Sequence, residues 1–449
     1  MKIRPFTEFE KSGYDWIGLI PKGWSVYPLR ALCNDSDSVF VDGDWIESED
    51  IETDGTIRYL TSGNIGVGVY KDQGSSFITE QKFNELNCTD VLPEDILISR
   101  LNLPVARACI VPEFDSRIVT CVDNVIFRPN KNISRQFMTY LLSAEHHFAN
   151  TKNLARGTTM QRISGSTLGK IRFAIPSLKE QEKIANFLNH ETSKIDELIQ
   201  KQERLIELIL EKQQAEILNS VTYGLQSNVG LKKSTNNWLD KIPSHWDEGN
   251  LKVLSKIYSG GTPDKSKQEY WIDGTIPWLN SGSVNDFYIQ SPSEYISEEA
   301  LKNSSAKWIK KGSVLVALAG QGKTKGMAAQ LMFDSTCNQS MCAIVPESKL
   351  DGNYLLWWLS ANYQNIRNMA GGDLRDGLNL EMIGSIKCPI PSLKEQLAIA
   401  GYLNDLREKN IALTKKCKES IELLNEHRAS LISAAVTGKI DLRSGINGD

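Results

Sequence analysis

The sequence predicts an α+β fold: two α/β heads separated by a pair of long antiparallel coiled-coil helices, built on an internal pseudo-twofold repeat. Three observations carry this. Ile20-Pro21-Lys22-Gly23-Trp24 returns as Ile242-Pro243-Ser244-His245-Trp246, an offset of 222 residues. Ile175-Pro176-Ser177-Leu178-Lys179-Glu180-Gln181 returns as Ile390-Pro391-Ser392-Leu393-Lys394-Glu395-Gln396, an offset of 215. Val221-Thr222, closely followed by Gly224, returns at that second offset as Val436-Thr437-Gly438. The latter half of each repeat therefore holds its register, and the seven-residue difference is absorbed inside the heads.

Each repeat begins with a head, 25–174 or 247–389, rich in short β-like runs between turn residues. Asp95–Ser99, Val125–Phe127 and Ser313–Leu318 are examples, and helical patches fall at Phe137–Phe148 and Tyr354–Met369. A long helix follows. Ser177 or Ser392 is placed to cap it, with Glu180 or Glu395 at the capping-box position. The first helix runs to Tyr223 without Pro or Gly, and Gly401 is the weak point of the second. Apolar residues recur at helical spacing: Ile184, Leu188, Ile195, Leu198, Leu205, Ile209, Ile217 and Val221, then Ile399, Leu403, Leu406, Leu413, Ile421, Leu424, Ile432 and Val436. Flanked by Lys and Glu, these stripes predict helices that pair with each other. The expected division is a first head over 1–176, a helix over 177–224, a second head over 225–391, and a helix and tail over 392–449.

The N-terminus has no signal-like apolar stretch, and no run approaches the ~18 to 20 apolar residues of a membrane helix, so a cytoplasmic chain is expected. The eight cysteines are scattered with no CxxC pair, and His146-His147 lacks ligands at metal spacing, so no metal is expected. Net charge is −4 with a pI near 5.9, which argues against a uniformly nucleic-acid-binding surface. The charges are segregated, however. Residues 1–96 carry 8 Lys/Arg against 18 Asp/Glu, whereas 97–172 carry 11 against 4 and 300–390 carry 10 against 6. Two basic segments in an acidic chain fit local phosphate-binding surfaces, and equally fit solvated faces balanced by their neighbours.

Ala317-Leu318-Ala319-Gly320-Gln321-Gly322-Lys323-Thr324 fits a relaxed P-loop, which would need a strand before it and a helix directly after. The stretch before Cys337 is short for that helix, and no acid-terminated apolar run follows. A lysine-bearing loop that meets DNA phosphates is the stronger reading, and a nucleotide-driven enzyme using Gln321–Thr324 stands as the alternative. The Asn/Asp-Pro-Pro-Tyr/Phe tetrapeptide of amino-methyltransferases is missing, as is GxGxxG after a strand. No catalytic residue is assigned.

Duplicated heads before near-repeated long helices, with the Ile-Pro-Ser-Leu-Lys-Glu-Gln helix opening and the Ile-Pro-x-x-Trp lead-in, resemble the specificity (S) subunit of type I restriction–modification enzymes, from Trp16 to about Arg443. The resemblance implies two target-recognition domains, each reading one half of a split, asymmetric site in double-stranded DNA. It implies that the paired helices act as spacer and as docking surface for two modification subunits. Those partners would hold S-adenosylmethionine and methylate adenine, and translocating restriction subunits would bring ATP and Mg. It implies no cofactor and no catalysis in this chain. A specificity module of another DNA-modification system and a coiled-coil scaffold are the remaining alternatives.

Base edges are read by side chains with paired hydrogen bonds, while Lys, Arg and loop backbone hold phosphates. Matching loops in the two heads supply the expected DNA-binding residues. Ser62-Gly63-Asn64 matches Ser281-Gly282-Ser283. The late loop of head one, with Thr158, Thr159, Gln161 and Arg162, matches the one with Arg375 and Asp376. Arg100 and Arg107 occupy the stretch held in head two by Gln321, Lys323 and Lys325.

Overall fold

The computed structural model describes residues 5–443 apart from 75, 321 and 371–376. The chain forms two compact units. Unit 1 holds the residues up to Gln202 and those from Glu419 onward, and unit 2 holds Glu203–Lys418. The long helices are Leu178–Tyr223, 46 residues, and Leu393–Val436, 44 residues. Each unit thus contains one head and a part of both helices.

In unit 1 a four-stranded antiparallel sheet runs Val39–Asp42, Asn124–Arg128, Ile96–Ser99, Ala108–Ile110. Its period-2 alternation explains the nearly continuous apolar runs, because both faces are covered. Ile96, Ile98, Val125 and Phe127 pack with Phe137, Leu141 and the long-helix residues Leu188 and Val436. Leu97, Cys109 and Ile126 face the other way, onto Leu60 and Ile118. A second sheet pairs Ile57–Leu60 in parallel with Arg117–Thr120, and Ser25–Pro28 pairs with Arg172–Ile175.

Unit 2 repeats the plan. Ser255–Ser259, Met341–Pro346, Val314–Ala317 and Ala328–Leu331 stand in the same order, with Tyr288–Ile289 added at the edge. Ile276–Leu279 pairs in parallel with Thr336–Cys337, and Asp247–Asn250 pairs with Lys387–Ile390. Trp246, Tyr354, Trp357 and Trp358 fill its core.

Within unit 2 the helices run antiparallel, since Tyr402 Oη donates to Glu216 at 3.3 Å and Asn410 Nδ2 to Gln213 at 3.2 Å. In unit 1 Arg428 pairs with Asp196 at 3.5 Å, and Ile195 is buried in one cluster with Leu431 and Ile432. The expected apolar stripe is buried at its ends, at Ile184, Leu188, Ile195, Ile217 and Val221. Mid-helix it is open: Leu198, Leu205 and Leu413 are 45–48% exposed.

The repeated motifs converge. The indole N–H of Trp24 donates to Glu180 Oε1 at 3.2 Å, and His245 Nε2 lies 3.2 Å from Glu395 Oε2. Both glutamates are thus drawn to the Ile-Pro-x-x-Trp segment. Ser392 does cap, accepting the Glu395 N–H at 3.3 Å. The end of the second long helix then closes the first clasp: a Cβ on Gly438 would lie 2.2 Å from Pro21 Cγ. Likewise a Cβ on Gly224 would lie 3.1 Å from both the Trp246 ring and Glu395 Oε1. Each head is therefore tied to the start of one long helix and the end of the other.

Candidate nucleic-acid interface

In head one the hairpin loop 100–107 joins strands Ile96–Ser99 and Ala108–Ile110, and Arg107 anchors it. Its guanidinium donates to the carbonyls of Ile65 (2.7 Å), Ser62 (2.8 Å), Leu101 (2.9 Å) and Asn102 (3.2 Å). Burial lowers its pKa from the usual arginine value. One cation thus fastens the Ser62–Asn64 turn to the hairpin. From beneath, Thr151 Oγ1 donates to Val105 O at 2.8 Å, and His147 Nε2 lies 3.3 Å from Ala106 O.

The late loop joins the same platform. Asn102 N–H donates to Gln161 O at 2.9 Å, and Ile163 N–H donates to Arg100 O at 3.0 Å. Arg156 and Arg162 exchange both backbone hydrogen bonds at 2.9 Å, making a tight turn between them. Gly157 sits in that turn at φ +101°, where a Cβ would lie 2.4 Å from Met160 O, so only glycine fits.

The fold therefore brings the expected residues of head one to one place but gives them different work. Arg107 is a scaffold clamp. Arg100 is 5% exposed, bonded to Val122 O and 3.4 Å from Asp42, so its charge is internal. Asn64 is buried and completes a capping box with Thr61. Ser62 Oγ donates to Asn124 Oδ1 at 2.8 Å, and Gly63 is exposed beside it. The outward-facing set is Thr158, Thr159 and Arg162, the last held by Asp123 at 2.8 Å while 46% of its side chain stays exposed. Gln161 is half-buried, and its Oε1 has no hydrogen-bond partner among the described residues. The sequence reading missed Arg156, an exposed cation in the same turn. Its signal was a basic residue directly before the loop glycine.

In head two Asn280 Oδ1 accepts the Gly282 N–H at 2.9 Å, and the Ser283 and Ser293 hydroxyls meet at 2.8 Å. Ser281 begins this 3-10 turn. Val314–Ala317 pairs antiparallel with Ala328–Leu331 as the arms of a hairpin, and Gly326 N–H donates to Ala317 O at 2.9 Å. A strand follows Lys323 and Thr324, not a helix whose N–H groups face phosphate. The P-loop alternative is thereby corrected. Lys323 is exposed, its carbonyl held by Tyr363 Oη at 2.6 Å, whereas Lys325 is 4% exposed and belongs to the interior. Gln321, Arg375 and Asp376 lie outside the described residues.

Strand register makes the hairpins comparable. Ala106 and Gly326 precede equivalent strands by two residues with φ of +65° and +84°, so Arg107 corresponds to Met327. The clamp of head one has an uncharged counterpart in head two. No group of His, Cys, Asp and Glu that could hold a metal occurs among the described residues, and no helix there is long and apolar enough to cross a membrane.

A family model described as the type I restriction modification DNA specificity domain matches residues 21–208 and again 243–423. The chain belongs to this family. The type I restriction enzyme EcoR124I/EcoR124II specificity subunit of Escherichia coli is 29% identical over 43% of this chain and 49% of its own length. The MjaIX specificity subunit of Methanocaldococcus jannaschii is 24% identical over 80% of both chains. The fold agrees with two solved structures. One, from work on complex assembly and conformational transition of the type I R-M system, has a TM-score of 0.70 at 15% identity, covering 93% of this chain and 98% of that one. The HsdS subunit from Thermoanaerobacter tengcongensis has a TM-score of 0.58 at 16% identity, covering 94% and 98%. As a type I specificity subunit, the chain is a non-catalytic DNA-recognition component.

Proposed function

We propose that the chain reads a bipartite, asymmetric site in double-stranded DNA, one half with each head, and docks two adenine-methylating modification subunits on its paired long helices. Restriction subunits join through that complex. S-adenosylmethionine, ATP and Mg are held by the partners. One observation carries the two-reader part: equivalent loops on a repeated frame differ in chemistry. Head one offers Thr158, Thr159, Gln161 and Arg162 on a platform clamped by Arg107. At the serine turn Asn64 of head one stands against Ser283 of head two, and at the hairpin head two has Met327 where Arg107 clamps head one. Different side chains on one frame read different bases. The exposed mid-helix leucines support docking, because solvent-facing apolar rows on long helices mark partner surfaces.

Labelled methyl transfer tests this reading. The purified chain alone transfers no methyl group to DNA, and the chain with a modification subunit methylates adenine at one bipartite sequence. Methyl transfer by the chain alone, or methylation at a single undivided sequence, contradicts it.

A further inference from the structure

Unit 2 contains a cavity of about 330 Å³ whose lining, Lys323 apart, takes no part in the proposed DNA contacts. Its walls are Gln213 and Ile217 on the first long helix, Arg407 on the second, Phe287 after the serine turn, and Trp357 and Tyr363 behind. Lys323 stands at the same cavity. The size reaches the lower end of specific binding sites, and the lining is mostly apolar with a few polar groups, as such sites require.

The charged groups are of one sign. Trp357 Nε1 donates to Asn404 at 2.9 Å, Gln213 Oε1 accepts from Asn410 at 3.2 Å, and the Tyr363 hydroxyl donates to Lys323 O while accepting from Arg367 at 3.1 Å. Two cations stand at the walls, the Lys323 ammonium and the Arg407 guanidinium, the last 4.7 Å from the Phe287 ring centroid, beside the neutral side chains of Gln213, Gln214, Asn285 and Ser360. Among the described residues no carboxylate forms an ion pair with Lys323 or Arg407. A ring-lined cavity with cationic donors fits an apolar or aromatic group that carries an anion beside it.

The repeat shows this to be a feature of unit 2. Tyr140 Oη donates to Asn189 at 2.8 Å as Trp357 donates to Asn404, so the frame is shared. The residue matching Arg407 at the 215 offset is Thr192, and Phe287 matches Gly68 in the spacing of the serine turns. The same helix surfaces continue outward from the cavity. Leu210, 54% exposed, lies one turn from Gln213, and Ile411, 51% exposed, lies one turn from Arg407.

We infer that this cavity receives an apolar or aromatic side chain of one docked modification subunit, with an adjacent carboxylate of that subunit meeting Arg407. The inference rests on the reading that modification subunits dock on the helix pair. Mass photometry of the full chain titrated with its modification subunit tests it, using Arg407→Glu, the milder Arg407→Ala, and Ser360→Trp, which fills the cavity. Thermal melting checks that each variant folds. Binding of one of the two modification subunits should weaken about tenfold or more, as at buried hot spots, while the other binds as before. Wild-type affinity for both copies in folded Arg407→Ala and Ser360→Trp overturns the inference. Anilinonaphthalene sulfonate bound to the cavity should be displaced by the modification subunit, and retention of the dye in the complex means a small anion is the occupant, which also overturns it. A wild-type chain that binds no modification subunit refutes the docking reading itself.

Discussion

Gln181 and Gln396, 215 residues apart, make the same three hydrogen bonds. Each carboxamide donates to the carbonyl five residues earlier, Pro176 or Pro391, at 2.9 Å. Each also donates to a carbonyl in its head, Asn132 at 3.3 Å or Lys349 at 2.9 Å, and accepts a backbone N–H, from Ser134 or Asp351, at 2.8 Å. Both side chains are buried, so the repeated glutamine is the rivet between head and long helix. Gln181→Ala leaves buried backbone groups without partners and should lower unfolding stability by about 2 to 4 kcal/mol, with Gln396→Ala costing a similar amount. Urea denaturation checks this. Loss below ~0.5 kcal/mol in both variants means the shared bonds are incidental.

The two closing glycines should differ. Gly438 and Gly224 both have positive φ, so alanine is strained at either. At Gly438 the new Cβ would meet Pro21 at 2.2 Å, while at Gly224 the nearest atoms lie at 3.1 Å. Gly438→Ala should therefore lower the melting temperature more than Gly224→Ala. The reverse order in a thermal scan contradicts the packing described at Pro21.

Acid should loosen head one. Burial pushes the His147 pKa down from 6.5 to about 3 and that of His146 down to about 4. Between those values and 6.5 the unfolded chain binds more protons than the folded one, so stability is complete above 6.5 and is lost as pH falls. His147 touches the Ala106 carbonyl under the hairpin, so the loss should reach the loop 100–107. Denaturation at pH 7 and pH 5 should show the drop, and His147→Phe should reduce it. An equal drop in the variant means other groups carry the acid sensitivity.

The arginines and lysines of the loops should separate by job. Arg162→Ala or Gln161→Ala should weaken the half-site of head one by about 1 to 3 kcal/mol if two hydrogen bonds to a base are lost. Arg107→Ala removes four carbonyl contacts, so it should also lower the stability of unit 1. Lys323→Ala should weaken binding to all sequences and reduce the salt slope by about one. Anisotropy titrations over a range of salt give both quantities. A Lys323→Ala variant with unchanged affinity and slope removes the hairpin from the phosphate-contact set.

Much of this was legible because the repeat is written in residues with few substitutes. The proline, tryptophan, glutamine and glycine motifs mark the clasps, and the long helices carry an unbroken periodic pattern. What could not be read was the work of each polar side chain. Sequence gives Arg100, Arg107 and Arg162 the same charge, and only the fold buries the first, clamps the second and leaves the third outward. Lys323 and Lys325 differ likewise: both stand in the turn between two strands, where the fold leaves one exposed and buries the other. The mid-helix leucines looked like seam residues, since periodicity alone cannot tell a stripe that meets a helix from one that awaits a partner.

The central claim is that each head reads its own half-site. Replacing 25–174 with the corresponding head of a related specificity subunit, keeping both helices, and mapping adenine methylation across the genome tests it directly. One half of the methylated sequence should change and the other half should stay. A stable hybrid in which both halves change, or neither does, contradicts the account.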